Sequence, residues 1–403
     1  MKSNTYGKKW QFWIDRGGTF TDIVARTPDG KIESTKLLSE NPEHYADSAI
    51  EGMRRVLGLS EHDAFPSKDV DAIKMGTTVA TNALLERKGE RTLLAITGGF
   101  ADALHIGTQQ RPRLFDLHIQ RPSILYSDVL EIQERLYANG EIETALDENA
   151  AYKGLSVAFA NGYTCIAIAL LHADRYPLHE KKVCEIAKEI GFTQVSASHD
   201  VIPLMKLVGR GDTTVADAYL SPTLRQYVEQ VSDNVGNSRV LFMQSNGGLT
   251  DAHRFRGKDS ILSGPAGGVV GMVSVATSAG FDKVIGFDMG GTSTDVTHYA
   301  GSYERTLDAT VAGVRIRAPM MDINTVAAGG GSQCIFDGLR LRVGPESAGS
   351  NPGPASYRKG GPLTVTDCNV LLGRIQPQHF PHVFGANADE PLDAEAVHIK
   401  FRA

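Results

Sequence analysis

Apolar residues along the chain fall into short runs separated by polar, glycine-rich breaks. Residues 10–14 form an aromatic and β-branched run that stops at a glycine pair. A second extended run, residues 22–26, ends at the turn sequence Thr27-Pro28-Asp29-Gly30. Strand, glycine turn and strand is the local reading. Ala49, Ile50, Met53, Val56 and Leu57 recur at helical spacing and predict a helix over residues 45–57. Compact apolar runs at 92–97, 165–171, 240–244 and 283–287 have the length of buried strands. Helical patterns at 178–190 and 224–235 lie between them. This alternation predicts α/β layers.

The chain repeats one device. IDRGGTFTDI, from Ile14 to Ile23, recurs as FDMGGTSTDV, from Phe287 to Val296. Asp15, Gly17, Gly18, Thr19, Thr21 and Asp22 match Asp288, Gly290, Gly291, Thr292, Thr294 and Asp295, six identities in an eight-residue window. Both copies follow an apolar strand run. The chain therefore reads as two related halves, each opening in the same way. The boundary is expected in the polar stretch 234–239, which gives domains over residues 9–233 and 239–403. Ordinary glycine hairpins would share the same turn chemistry and are the plain alternative.

A strand ending in Asp and followed by Gly-Gly-Thr brings three capacities together. Glycines let backbone N–H groups approach an anion, threonine hydroxyls add neutral donors, and the carboxylate can hold Mg²⁺ directly or through water. Two such loops face to face can grip a polyphosphate. No GxxxxGK[ST], GxSxG or HExxH motif occurs, which speaks against Walker ATPases, serine hydrolases and zinc proteases. Forty-one basic residues against forty-seven acidic ones, a net charge of −6, argue against a nucleic-acid-binding surface. Four scattered cysteines without a CxxC pair suit a reducing compartment. The N-terminus has no signal-peptide pattern, and no run reaches the ~18 apolar residues of a membrane span. A cytoplasmic protein without membrane partners is expected.

Twin DxGGT loops resemble the actin, heat-shock-chaperone and sugar-kinase superfamily, whose ATP lies between two ribonuclease-H-like domains. More closely, the chain resembles the hydantoinase A / 5-oxoprolinase family, and within it the N-terminal part of bacterial ATP-dependent 5-oxoprolinases. The stretches that carry this are MGTTVATNALLE (75–86), GRGDTTVADAYLSP (209–222), SGPAGGVVG (263–271), AAGGGS (327–332), VGPESAGSNPGP (343–354) and TVTDCNVLLGR (364–374). The resemblance implies two ribonuclease-H-like half-domains, the second incomplete, and ATP-dependent opening of the 5-oxo-L-proline lactam to L-glutamate. It implies ATP and Mg²⁺ as cofactors, with Asp15 and Asp288 on the metal. Gly17, Gly18, Thr19, Thr21, Gly290, Gly291 and Thr292 would cradle phosphates, and Gly329, Gly330 and Gly331 would flank the nucleoside, although a plain loop reads the same there. Arg16 either neutralises the transferring phosphoryl group or pairs with Asp22 or Asp295. Thr77, Thr78 and Asn82 are expected on the substrate wall, with N-capping explaining some of them. Arg210 faces the substrate carboxylate or sits in a surface turn. The glycines of 263–271 suit a phosphate-facing turn leading into a helix, or a close helix contact.

Where relatives carry His, alanine and PGPACY, this chain has Asn324, Cys368 and Ser356. The family continues beyond the position of residue 403, so the chain reads as a fragment without the fused hydrolytic half. A hydantoinase B-like half, fused or separate, is the implied partner, and a homo-oligomer is implied for the complete enzyme. A hydantoinase A subunit, the ATP-using subunit of an acetone-type carboxylase, and a non-catalytic nucleotide switch are the alternatives.

Overall fold

The computed structural model describes residues 9–402 apart from residues 61, 110–114, 119–120 and 122. The first eight residues, on which the reading of the N-terminus rests, lie outside the described set. Strands β1 (Trp10–Arg16), β2 (Phe20–Arg26) and β3 (Ile32–Leu38) form an antiparallel meander. Helix α1 (Ser48–Leu57) follows. Its start is fixed by Asp47, whose carboxylate accepts from the Ala49 and Ile50 N–H groups, and Gly58 at φ 66° ends it. Strand β4 (Val70–Thr77) then lies parallel to β1.

The chain continues through α2 (Val79–Leu85), β5 (Thr92–Thr97), α3 (Ala103–Ile106) and β6 (Tyr126–Ile132) to the short β7 (Arg135–Leu136) and β8 (Ile142–Thr144). Next come α4 (Glu148–Ala160), β9 (Cys165–Ala169), α5 (Leu178–Ile190), β10 (Gln194–Ala197) and α6 (Ser198–Val201). β10, β9, β5 and β6 make an all-parallel sheet. Every residue of β5 and β9 is buried because both faces are covered. Leu93, Ala95, Ile166 and Ile168 pack with Leu155 of α4 and Val183 of α5. Leu94, Ile96, Ala167 and Ala169 pack on the opposite side against α7 (Leu207–Val235), which supplies Val215, Ala216 and Leu220. The two-residue period of the strands separates these sets.

Helix α7 is far longer than the pattern at 224–235 predicts, and it runs through Pro222. Gly209, Gly211, two threonines and a proline read locally as breakers. Burial between sheets overrides them, and the Thr213 and Thr214 hydroxyls return hydrogen bonds to the Gly209 and Arg210 carbonyls.

Beyond α7, β11 (Val240–Met243) pairs with β4, and β12 (Leu249–Asp251) pairs with β11. The six-stranded sheet therefore runs β12-β11-β4-β1-β2-β3 and draws strands from both sides of residue 239. Helix α8 (Ser263–Ser278) begins at Ser263, so Gly264, Gly267, Gly268 and Gly271 lie inside the helix rather than in a turn before it. A hairpin of β13 (Lys283–Met289) and β14 (Thr294–Ala300) follows, then a second of β15 (Arg305–Val311) and β16 (Val314–Met321). β17 (Asn324–Val326) extends β14. β18 (Ser332–Phe336) pairs with β19 (Leu341–Ser347), and α9 (Val365–Leu371) and α10 (Ala394–Arg402) close the chain. The result is a mixed α/β fold with parallel sheets. Among the described residues no helix is long and apolar enough to cross a membrane.

Candidate active site

The two repeated segments fold alike. Asp15 faces Asp22 across the β1–β2 ladder, and Asp288 faces Asp295 across β13–β14 in the same register. Each turn is closed by an equivalent hydrogen bond, Gly17 N–H to the Phe20 carbonyl at 3.0 Å and Gly290 N–H to the Ser293 carbonyl at 2.9 Å. In β1, Phe12 and Ile14 enter the core, so alternation turns Asp15 to the opposite face and Arg16 back toward the core.

The loop carbonyls are held from behind. Ser39 donates its hydroxyl to Gly17 O at 2.7 Å and its N–H to Thr19 O at 2.9 Å. On the second loop, Gly330 and Gly331 donate their N–H groups to Gly290 O and Gly291 O at 2.9 and 2.6 Å. The N–H groups of Gly18, Thr19, Gly291 and Thr292 have no protein acceptor among the described residues. Two small nests of backbone donors result, a form suited to anionic oxygens. The tips meet: a Cβ on Gly291 would fall 2.5 Å from Thr19 Oγ1. A Cβ on Gly18 would meet nothing within 4 Å, so that backbone is open to a ligand.

Asp15 occupies a narrow place in which a Cβ on either Gly76 or Gly264 would come within 3.1 Å of its Oδ1. Water reaches its carboxylate from the open side while protein crowds the others. Burial, followed by the carboxylates of Asp22 and Asp288, raises its pKa above the ordinary aspartate value, and Lys36 opposes the rise. Asp22 is itself paired with Lys36 at 2.6 Å, and Asp295 accepts from Thr325 Oγ1 at 2.6 Å. Asp288 is among the carboxylates that Asp15 feels, so each hairpin contributes a hard oxygen donor to the same acidic surroundings. Among the described residues no group of three or more His, Cys, Asp or Glu side chains could hold a metal ion. Two carboxylates, completed by phosphate oxygens and water, are the ordinary provision for Mg²⁺.

Several expected site residues lie elsewhere. Arg16 points away from Asp15, with Nε 3.5 Å from Asp47 and its guanidinium 5.4 Å from the Tyr227 ring centre, so neither Asp22 nor Asp295 is its partner. Thr21 is buried and hydrogen-bonds Ser39 and Ser48 at 3.0 and 2.7 Å; it ties the sheet to α1. Thr77 is also buried; its hydroxyl accepts from Val79 N–H, and its carbonyl accepts from Ser263. Thr78 donates to the Arg16 carbonyl at 3.1 Å, and half-buried Asn82 reaches Thr78 at 3.5 Å.

Arg210 lies inside α7 and not in a surface turn. It is 1% exposed and bonded to Ser198 Oγ, Asp174 Oδ1, Leu204 O and Leu170 O. His199 belongs to the same knot through Glu180 at 2.7 Å. The Gly329–331 triplet packs directly on the second loop. A Cβ on Gly329 would lie 2.7 Å from Gly291 O, and one on Gly330 would lie 2.6 Å from Thr366 Oγ1.

Sequence reasoning missed Ser39, Gly76, Gly264 and Thr366 as supports of the loops. Gly76 and Gly264 did sit inside quoted glycine motifs, where adjacency to Asp15 was invisible. Ser39 carried no local signal at all.

A family model described as hydantoinase/oxoprolinase N-terminal region matches residues 11–191, and one described as hydantoinase/oxoprolinase matches residues 210–403. The chain belongs to the hydantoinase/oxoprolinase family. It is 46% identical to 5-oxoprolinase 1 of Arabidopsis thaliana over 98% of this chain and 34% of that protein. Against the 5-oxoprolinase of Saccharomyces cerevisiae it is 44% identical over 96% of this chain and 33% of the other. It therefore spans about a third of the length of these relatives. The solved ATP-dependent caprolactamase of Pseudomonas jessenii superposes with a TM-score of 0.75 at 31% identity, covering 98% of this chain and 58% of that one. A nucleotide-free acetone carboxylase superposes with a TM-score of 0.78 at 25% identity, covering 96% and 57%.

Proposed function

We propose that this chain supplies the ATP-using part of an enzyme that opens 5-oxo-L-proline to L-glutamate. The observation that carries the reading is the meeting of the two hairpin tips, with free N–H donors on both and with Asp15 feeling the charge of Asp288. Names of relatives support the same choice, since proteins called 5-oxoprolinase match at about 45% identity. A ribonuclease-H-like description of the first half is supported by its β1–β2–β3 meander continued by parallel β4 and β11. The β13–β14 hairpin repeating β1–β2 supports a second, related half.

A lactam carbonyl is a poor electrophile, and phosphorylating its oxygen gives a species that water attacks readily. Such transfer needs chiefly positioning and charge neutralisation. The N–H groups of Gly18, Thr19, Gly291 and Thr292 hold phosphate oxygens, while Ser39 and the Gly330–Gly331 amides keep the loops from yielding. Asp15 and Asp288 are the residues that would hold Mg²⁺. When bound, the ion neutralises phosphate charge. Arg16, Thr21, Thr77 and Arg210 keep structural duties, which leaves Thr78 and Asn82 as the expected substrate-side residues that remain partly exposed. A hydrolytic partner half, fused or separate, completes the reaction, and the relative named caprolactamase subunit alpha supports a separate one in some members. A cytoplasmic setting is supported by four free cysteines.

The full-length protein tests the proposal. ATP turnover stimulated by 5-oxoproline, with glutamate released, is expected. Stimulation by a hydantoin or by acetone with bicarbonate in its place would move the substrate. ATP binding with no substrate-stimulated turnover would mark a nucleotide switch instead.

A further inference from the structure

Apart from the twin-loop site, two thiols come together on the elements that brace it. Cys334 of β18 and Cys368 of α9 place their sulfurs 3.7 Å apart, and both side chains are partly exposed. The other two cysteines, Cys165 and Cys184, are buried, and burial pushes the Cys184 thiol up to about 12. We propose that Cys334 and Cys368 form an oxidisable pair that closes to an intramolecular disulfide when it meets a peroxide, clamping the support of the second glycine loop.

The clamp follows from neighbouring residues. Cys334 lies two residues beyond Ser332, whose hydroxyl accepts from Gly329 N–H at 3.0 Å. Cys368 lies two residues beyond Thr366, whose N–H donates to Gly330 O at 2.7 Å. The two cysteines therefore sit on the two elements between which the Gly329–331 triplet is held. A disulfide has an S–S distance of about 2.05 Å, so closure draws the sulfurs together by roughly 1.7 Å.

Burial, then the Cys368 thiol and the Asp367 carboxylate, push the Cys334 thiol above its ordinary value; both sulfurs are partly exposed and either can meet a peroxide. With Cys368 first, the pair closes in two steps. The Cys368 sulfur takes one peroxide oxygen, the O–O bond breaks, and water or an alcohol leaves. The Cys334 sulfur attacks the resulting sulfenic sulfur, forming the S–S bond as the S–O bond breaks. The sulfenic hydroxyl departs as water with the Cys334 proton. Two electrons pass from the sulfurs to the peroxide.

The test treats the purified chain with hydrogen peroxide, alkylates the remaining thiols and maps peptides by mass spectrometry. Loss of two of four titratable thiols and a linked peptide pair containing Cys334 and Cys368 are expected, both reversed by dithiothreitol. Amide exchange at Gly330, Gly331 and Thr366 should slow in the oxidised form. Cys368→Ala should fold, form no cross-link and show no change in exchange; Cys334→Ser gives a second check. Retention of all four thiols, or single cysteines driven to sulfinic acid without a cross-link, overturns the pair. A cross-link with unchanged exchange overturns the clamp.

Discussion

Replacing Gly291 by alanine adds one carbon where the two loops touch. That carbon would stand 2.5 Å from Thr19 Oγ1 and 3.2 Å from Thr19 Cβ, whereas ordinary contacts begin near 3.4 Å. Turning Thr19 about χ1 gives no relief, because its Cγ2 lies at 3.6 Å and the side chain is buried. The tips must therefore part by about 1 Å. Parting the tips takes about one amide–phosphate hydrogen bond out of reach, ~1.5–3 kcal/mol for a bond to a charged group, so ATP affinity should fall about 10- to 100-fold. Calorimetric titration of ATP with Mg²⁺ into the folded variant reads this loss. Thr19→Ala removes Oγ1 and Cγ2, so the double variant should recover part of the loss, with a coupling of at least about 0.5 kcal/mol in a double-mutant cycle. Wild-type affinity in Gly291→Ala, or a strictly additive cycle, would show that the tips do not share one ligand.

Arg210→Met should cost about 3–5 kcal/mol in urea denaturation, because it leaves the Asp174 and Glu180 carboxylates in a buried knot without the cation whose charge they feel; unchanged stability with a raised KM would return Arg210 to the substrate. Asp15→Asn should abolish most turnover, on the order of 10²–10³, yet raise the melting temperature of the ligand-free chain at neutral pH. The sign follows from its raised pKa: the stability tied to this group is fully present below the ordinary aspartate pKa and is lost as pH rises through the folded value. The stabilisation by Asn should therefore vanish in acid, and a gain that persists there would contradict it. Burial raises Asp212 to about 6 against the pull of Arg315; carboxyl NMR should find it titrating near that value, and stability linked to it should decline between pH ~4 and ~6. Titration of Asp212 at the ordinary aspartate value would remove its part in that decline.

Much of this architecture was legible in the chain. The runs at 92–97 and 178–190 are β5 and α5, because a fully buried parallel strand and an amphipathic helix carry strong local patterns. The repeated DxGGT segments proved to be hairpins of matching register, since strand, glycine turn and strand are encoded locally. Distance defeated the rest. Arg16 follows Asp15 in sequence, yet alternation sends it to Asp47 and Tyr227. Arg210 sits among glycines and threonines that read as a turn, and only tertiary burial makes them a helix interior. Residues 240–251 return to the first sheet after a long excursion, and no local pattern announces such pairing. The triplet at 329–331 advertised close approach correctly, but what approaches it is the protein's own second loop.

On the proposed function, Asp15 and Asp288, on hairpins 273 residues apart in sequence, serve one Mg²⁺–nucleotide site. Calorimetric titration of ATP with and without Mg²⁺ into wild type, Asp15→Asn and Asp288→Asn decides whether they do. The expected result is Mg²⁺-dependent binding in the wild type, with that dependence lost or weakened at least tenfold, about 1.4 kcal/mol, in each single variant. Nucleotide binding with undiminished Mg²⁺ dependence in either variant would contradict a shared site.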